Sequence, residues 1–220
     1  MNRLALFDCD GTLVDSQANI CLAMEHCFDV HALTPPDRHA IRRIVGLSLV
    51  EAIGILLPQG DETLHRAMAD DYKLCFQKLR STGGLMPEPL FDGIAEAIDT
   101  LDAAGWVLGV ATGKSDRGLK LLLAHHGLTE RFVTLQTADR HPSKPDPAMA
   151  AAAIAEAGAS PETTVMIGDT SFDMEMAVAA LAHPLGVSWG YHTPEELTDA
   201  GAAHVASHAR DLAPYLANRV

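Results

Sequence analysis

Apolar residues occur along this chain in two arrangements. The first is the short continuous run, closed by glycine or a polar residue: Leu4-Ala5-Leu6-Phe7, Val107-Leu108-Gly109-Val110-Ala111, Phe132-Val133-Thr134-Leu135, Val165-Met166-Ile167 and Leu185-Gly186-Val187-Ser188-Trp189. Such runs predict strands of a parallel sheet buried on both faces. The second repeats every third or fourth position and predicts amphipathic helices. After the first run the helical spacing holds without a strand signal: Ile20, Met24, Cys27 and Phe28, then Leu64, Met68, Tyr72, Cys75 and Leu79. Thr34-Pro35-Pro36-Asp37 breaks that stretch, and Leu57-Pro58-Gln59-Gly60-Asp61 starts a new helix at an Asp cap. Thr82-Gly83-Gly84 and Pro87-Glu88-Pro89 mark its exit. From Phe91 onward strands and helices alternate, with Ile94, Ile98 and Leu101 on one helix face, Ser115 capping another, and Asp146-Pro147 opening a third. The pattern predicts an α/β fold with a doubly wound parallel sheet, Rossmann-like, assigned to residues 1–16 and 87–220, and an inserted all-α unit over 17–86.

Charge narrows the partners. A formal net charge of -13 disfavours nucleic acid and anionic membrane, which both call for basic patches. No run approaches membrane-spanning length, and Asp8 interrupts the N-terminal apolar run too early for a signal peptide. Cys9, Cys21, Cys27 and Cys75 have no CxxC spacing and fall within apolar patterns, as buried thiols of a cytoplasmic protein do.

Polar clusters follow the predicted strands. Asp8 and Asp10 come directly after the first, two positions apart, where extended backbone turns both to one side. Their charges then repel unless a cation or a proton intervenes. A calcium loop needs Gly at its sixth position and Glu at its twelfth; Leu13 and Asn19 stand there, which excludes it. Thr112-Gly113-Lys114 follows the second strand and by itself reads equally as an ordinary turn. Lys144 lies in the proline-rich Ser143-Lys144-Pro145-Asp146-Pro147, where a solvated lysine is the plain alternative. Asp169 and Asp173 follow the strand ending at Ile167; either could simply favour a helix N-terminus. The histidines form no catalytic arrangement, and His125-His126 ends a helix where a dipole contact suffices.

Asp8-Cys9-Asp10-Gly11-Thr12-Leu13-Val14-Asp15-Ser16 resembles the nucleophile motif of haloacid dehalogenase-like phosphohydrolases, in the branch with a helical cap after the first strand. Phosphoglycolate phosphatase-like members are the nearest match, and the remaining motifs occur in the family's order. The resemblance implies a magnesium-dependent phosphatase acting on a small phosphorylated metabolite. In it Asp8 is the nucleophile, Asp10 the proton shuttle, Thr112 a hydroxyl donor to the phosphate, and Lys144 a neutraliser of charge. Gly11, Thr12, Gly113 and Lys114 border the phosphate. Asp8, the Asp10 carbonyl and Asp169 hold Mg2+, while Asp173 orients Lys144 or a water. Arg42 and Arg43, before Gly46-Leu47-Ser48-Leu49, are candidates for a second anionic group, or else solvated helix residues. A β-phosphoglucomutase is the nearest rival, but Val45 and Leu49 stand where it carries cations, and Gly168 where it carries an acid. A phospho-accepting receiver is shorter and lacks the helical insert; a silent binding protein would not keep every chemical position. The substrate, and whether the chain is a monomer or a homodimer, are left open.

Overall fold

A computed structural model describes residues 1–218. In chain order the elements are β1 (Asn2–Phe7), α1 (Gln17–Val30), α2 (Arg38–Arg43), α3 (Leu49–Leu56), α4 (Glu62–Thr82), α5 (Ile94–Ala103), β2 (Val107–Thr112), α6 (Asp116–His125), β3 (Thr134–Thr137), α7 (Ala148–Glu156), β4 (Ala159–Gly168), α8 (Ser171–Ala179), β5 (His183–Val187), α9 (Pro194–Asp199), β6 (His204–Ala206) and α10 (Leu212–Ala217). The six strands form one parallel sheet in the order β3-β2-β1-β4-β5-β6. Strand order therefore reverses between β1 and β4, which opens a crevice at their carboxyl ends.

The composition of β1 explains its central place. Leu4, Ala5, Leu6 and Phe7 are all fully buried, because both faces of the sheet are covered. Ala5 and Phe7 join a core with α5, α6 and α10, whereas Leu4 and Leu6 join one with α7 and α8. Helices α1 to α4 follow β1 and build a separate apolar cluster around Met24, Phe28, Ile53, Met68 and Tyr72. Asp61 caps α4 by accepting from the Leu64 N–H at 2.8 Å, and Gly83 ends it at φ +71°. The chain leaves the sheet and returns at one place: Val14 bridges Leu90 antiparallel, and the Asp15 N–H donates to the Pro89 carbonyl at 2.9 Å.

Three details differ from the sequence pattern. The third strand begins at Thr134 because Phe132 turns inward, edge-on to Phe7 with ring centroids 6.3 Å apart. Strand β6 spans three residues and has no apolar run to announce it. His126 contacts the Glu88 carbonyl through Nε2 at 2.8 Å, so it fastens the returning segment instead of facing its own helix end. Among the described residues no helix is long and apolar enough to cross a membrane.

Candidate active site

At the reversal point β1 and β4 deliver the acids. The Asp8 N–H donates to the Ile167 carbonyl at 2.9 Å, continuing the ladder one residue past β1. The side chain of Asp8 is buried, with Oδ1 2.8 Å from Lys144 Nζ. Its Oδ2 has no hydrogen-bond partner. Lys144 also reaches Asp173 Oδ1 at 2.6 Å, while Asp173 Oδ2 accepts from the N–H and hydroxyl of Thr170. Asp169 accepts from the Thr12 hydroxyl at 2.7 Å and from the Tyr191 N–H at 2.9 Å. Asp8, Asp169 and Asp173 can each offer an oxygen within 4.8 Å of the others.

Burial dominates the electrostatics. It lifts the Asp8 carboxyl to about 7, opposed by Lys144 and reinforced by Asp173. It likewise holds Asp169 well above the ordinary carboxylate range, with Asp8 and Asp173 adding to the effect. Burial opposes the charge on Lys144, yet Asp173 and Asp8 keep its ammonium above the usual lysine value. Three buried carboxyl groups share one ammonium, so they cannot all ionise unless a further cation joins them.

Gly11 is required by this geometry. At φ +91° it lies in the left-handed region, and a Cβ there would run into the Asp169 carboxylate and the Tyr191 ring. Asp10 lies beyond the buried cluster, where Oδ1 accepts from Ser16 Oγ at 2.5 Å and pairs with Lys114 Nζ at 2.9 Å. Asp8, Asp10, Thr112, Gly113 and Lys114 share the floor of a cleft of about 500 Å³ whose walls come from α1, α3, α4 and the 44–48 loop. That loop presses close: a Cβ on Gly113 would strike the carbonyls of Gly46 and Leu47. The Ser48 N–H donates to Ser143 Oγ at 2.8 Å, next to Lys144.

The two candidate arginines lie elsewhere. Arg43 forms a bidentate pair with Glu196, at 2.7 and 2.6 Å. Arg42 meets Gln17 Oε1 at 3.4 Å and faces a separate hollow with Asp15, Phe91 and Trp189. Neither lines the cleft. Their place in α2 was legible, but the direction of their side chains depends on how α2 packs.

Sequence reasoning also missed the supports. The Trp189 indole N–H donates to the Thr12 carbonyl at 3.0 Å, and Tyr191 and His192 grip Asp169 through backbone N–H groups. Ser16 closes the opening motif yet gave no signal beyond being polar. Of the cleft-facing residues of α4 only Tyr72 was read, as part of a helical apolar stripe; Phe76 and Arg80 gave no signal.

Comparison with known proteins identifies the family and the fold. The family model described as "Haloacid dehalogenase-like hydrolase" matches residues 5–187. The chain is 38% identical to a Dickeya dadantii protein named Probable phosphatase IndB, over 90% of this chain and 86% of that one. It is 30% identical to Tyrosine-protein kinase PtkA of Mycobacterium tuberculosis, covering 96% of this chain and 70% of the kinase. It is also 30% identical to a phosphoglycolate phosphatase of Agrobacterium fabrum, covering 87% and 82%. The crystal structure of a hydrolase from Pseudomonas syringae, 24% identical, has the same fold over 99% of each chain, with a TM-score of 0.85. With the carboxylate cluster at the β1/β4 crevice and a family match over most of its length, this chain belongs to the haloacid dehalogenase-like hydrolases.

Proposed function

We propose that this chain is a magnesium-dependent phosphomonoesterase that cleaves a small phosphorylated metabolite through a phosphoaspartate on Asp8. The observation that carries this reading is the Asp8 carboxylate: one oxygen is held by Lys144, the other has no partner, and the residue lies on the floor of the cleft beside Asp10. The relatives named as phosphatases support the type of bond cleaved.

The donors fit a hard divalent cation, because the unpartnered oxygen belongs to a carboxylate group that one lysine cannot neutralise. Asp8, Asp169 and the Asp10 carbonyl would hold the ion, and Asp173, whose Oδ1 pairs with Lys144 and whose Oδ2 accepts from Thr170, would orient Lys144. Bound there, magnesium draws charge from the phosphoryl oxygens and lets an anionic nucleophile approach.

The chain's own groups then divide the work. An Asp8 oxygen attacks phosphorus as the bond to the alcohol oxygen breaks, and Asp10 gives that oxygen its proton. Asp10 next takes a proton from water, whose oxygen attacks phosphorus, releasing phosphate and restoring Asp8. Such proton transfers contribute about 10²–10⁴-fold. Thr112, with the Gly113 and Lys114 segment, positions the phosphoryl group while Lys144 neutralises it. Residues 17–86 act as a cap that excludes water from the first step. Val45 and Leu49 on the cleft wall offer no cation for a second phosphate of a mutase intermediate, and a side chain at Gly168 would collide with Asp173. Four free buried thiols suit a reducing cytoplasm.

The test is phosphate release over a panel of phosphomonoesters, with magnesium and with chelator. Chelation should stop turnover, Asp8→Asn should form no phosphoenzyme, and Asp10→Asn should slow turnover by about 10²–10⁴-fold. Full activity in excess chelator, or label recovered on the Asp8→Asn protein, would sink the reading.

A further inference from the structure

A cleft of about 500 Å³ is the size of sites that enclose a drug-sized ligand, more than a phosphate and two carbons fill. Its far wall is one face of α4. Tyr72, Phe76 and Arg80 recur four residues apart, about 6 Å apart along the axis, and all three face the cleft. The Tyr72 and Phe76 rings pack with centroids 5.9 Å apart. Lys114 Nζ is 5.9 Å from the Phe76 centroid and Arg80 Cζ is 6.0 Å from it. Lys114 is the one that pairs with Asp10, so the Phe76 ring connects the reacting end of the cleft to Arg80. Met24, Val45 and Leu49 add apolar wall.

Cations are distributed unevenly along this path. Lys73, Arg80 and Arg117 line the cleft, and none has a carboxylate within 4.0 Å among the described residues, in a chain of net charge -13. Near the floor the cations are already paired: Lys114 with Asp10, and Lys144 with Asp8 and Asp173. Beside those pairs the lining adds Val45 and Leu49, which offer a carboxylate no cation. Of the three unpaired cations, Arg80 is the one that lies against the Phe76 ring, so an anionic group carried across that ring reaches it.

We infer that the substrate is a phosphomonoester of a ring-bearing alcohol, its ring laid on Phe76 and Tyr72 and a second anionic group, carboxylate or phosphate, held by Arg80. This rests on the proposed function for the phosphate end only, and the test below does not need turnover.

Binding of non-hydrolysable phosphonates is measured by titration calorimetry with magnesium present. The probes are 4-carboxybenzylphosphonate, benzylphosphonate and phosphonoacetate. The carboxybenzyl compound should bind at least about tenfold more tightly than phosphonoacetate, with benzylphosphonate between them. Phe76→Leu and Arg80→Gln should each erase most of that preference, the second without weakening benzylphosphonate. Because Arg80 is only half-buried and makes no ion pair among the described residues, its variant tests the inference even if Phe76→Leu folds poorly. Phosphonoacetate binding as tightly as the carboxybenzyl compound overturns the inference. So does an unchanged preference in Arg80→Gln, or no binding by any probe. The expected order in a protein that releases phosphate from no monoester would instead overturn the proposed function, and with it the phosphoester end, while the ring site on Phe76 and the anion site at Arg80 stand.

Discussion

Replacing Lys144 with methionine isolates one buried charge at nearly constant volume. The lysine side chain is fully buried, 2.8 Å from Asp8 Oδ1 and 2.6 Å from Asp173 Oδ1, and both carboxylates are buried with it. Methionine nearly matches the lysine volume, so the cost is chiefly electrostatic: two buried carboxyl groups lose their shared counter-ion. Breaking a buried pair by removing one partner costs about 3–5 kcal/mol. Against a total stability of about 5–15 kcal/mol for a folded domain, that is a severe loss. Urea unfolding at neutral pH in chelator is the appropriate assay, because a bound divalent cation would mask the missing charge. A second variant, Lys144→Met with Asp173→Asn, removes one of the stranded carboxylates but keeps its shape and its contact with Thr170. It should recover part of the loss, and adding magnesium should recover part of it in the single variant. A loss below about 1 kcal/mol in Lys144→Met, the range of an exposed pair, would refute the reasoning.

Two further outcomes follow from the site. In chelator the Asp8 carboxyl, lifted from 3.8 to about 7 chiefly by burial, holds its proton more tightly folded than unfolded. Stability should therefore fall as pH rises from 3.8 through about 7 and then level off, and urea midpoints of Asp8→Asn should lack that component. Arg43→Ala removes the pair that, mainly through its hydrogen bond, lowers the Glu196 carboxyl from 4.5 to about 2. That contribution is present above pH 4.5 and lost as pH falls toward about 2. Both side chains are more than a third exposed, so the loss at neutral pH should stay under about 1 kcal/mol. A tenfold rise in KM in Arg43→Ala would return Arg43 to substrate contact.

Legibility followed the range of the interactions. Strands β1, β2, β4 and β5 were visible because a sheet covered on both faces demands continuous apolar runs, and Leu4 to Phe7 supply one. Strand β6, at the sheet edge and three residues long, carries no such demand. Asp8 and Asp10 stood out through local spacing, and Asp169 through its position after a strand. Lys144, 136 residues from Asp8, drew attention only through family resemblance, since nothing in a proline-rich loop indicates that its ammonium is buried. The supports of Asp169 from Tyr191 and His192 are backbone N–H groups, which leave no trace in residue identity. Arg42 and Arg43 show the converse. Their residue type suited an anion site, but Arg43 pairs with Glu196 and Arg42 meets Gln17.

The antiparallel bridge between Val14 and Leu90 has a consequence for how such a protein can diversify. The four helices depart from and rejoin the sheet at adjacent points, so neither their number nor their length enters the register of β1 with β2 and β4. The loop of Asp8 and Asp10 is fixed by that register, whereas one wall of the cleft is written on α4. Under the function proposed above, inheritance can therefore revise which molecule is admitted without rewriting the reaction, as a lock may be rekeyed while its bolt is kept.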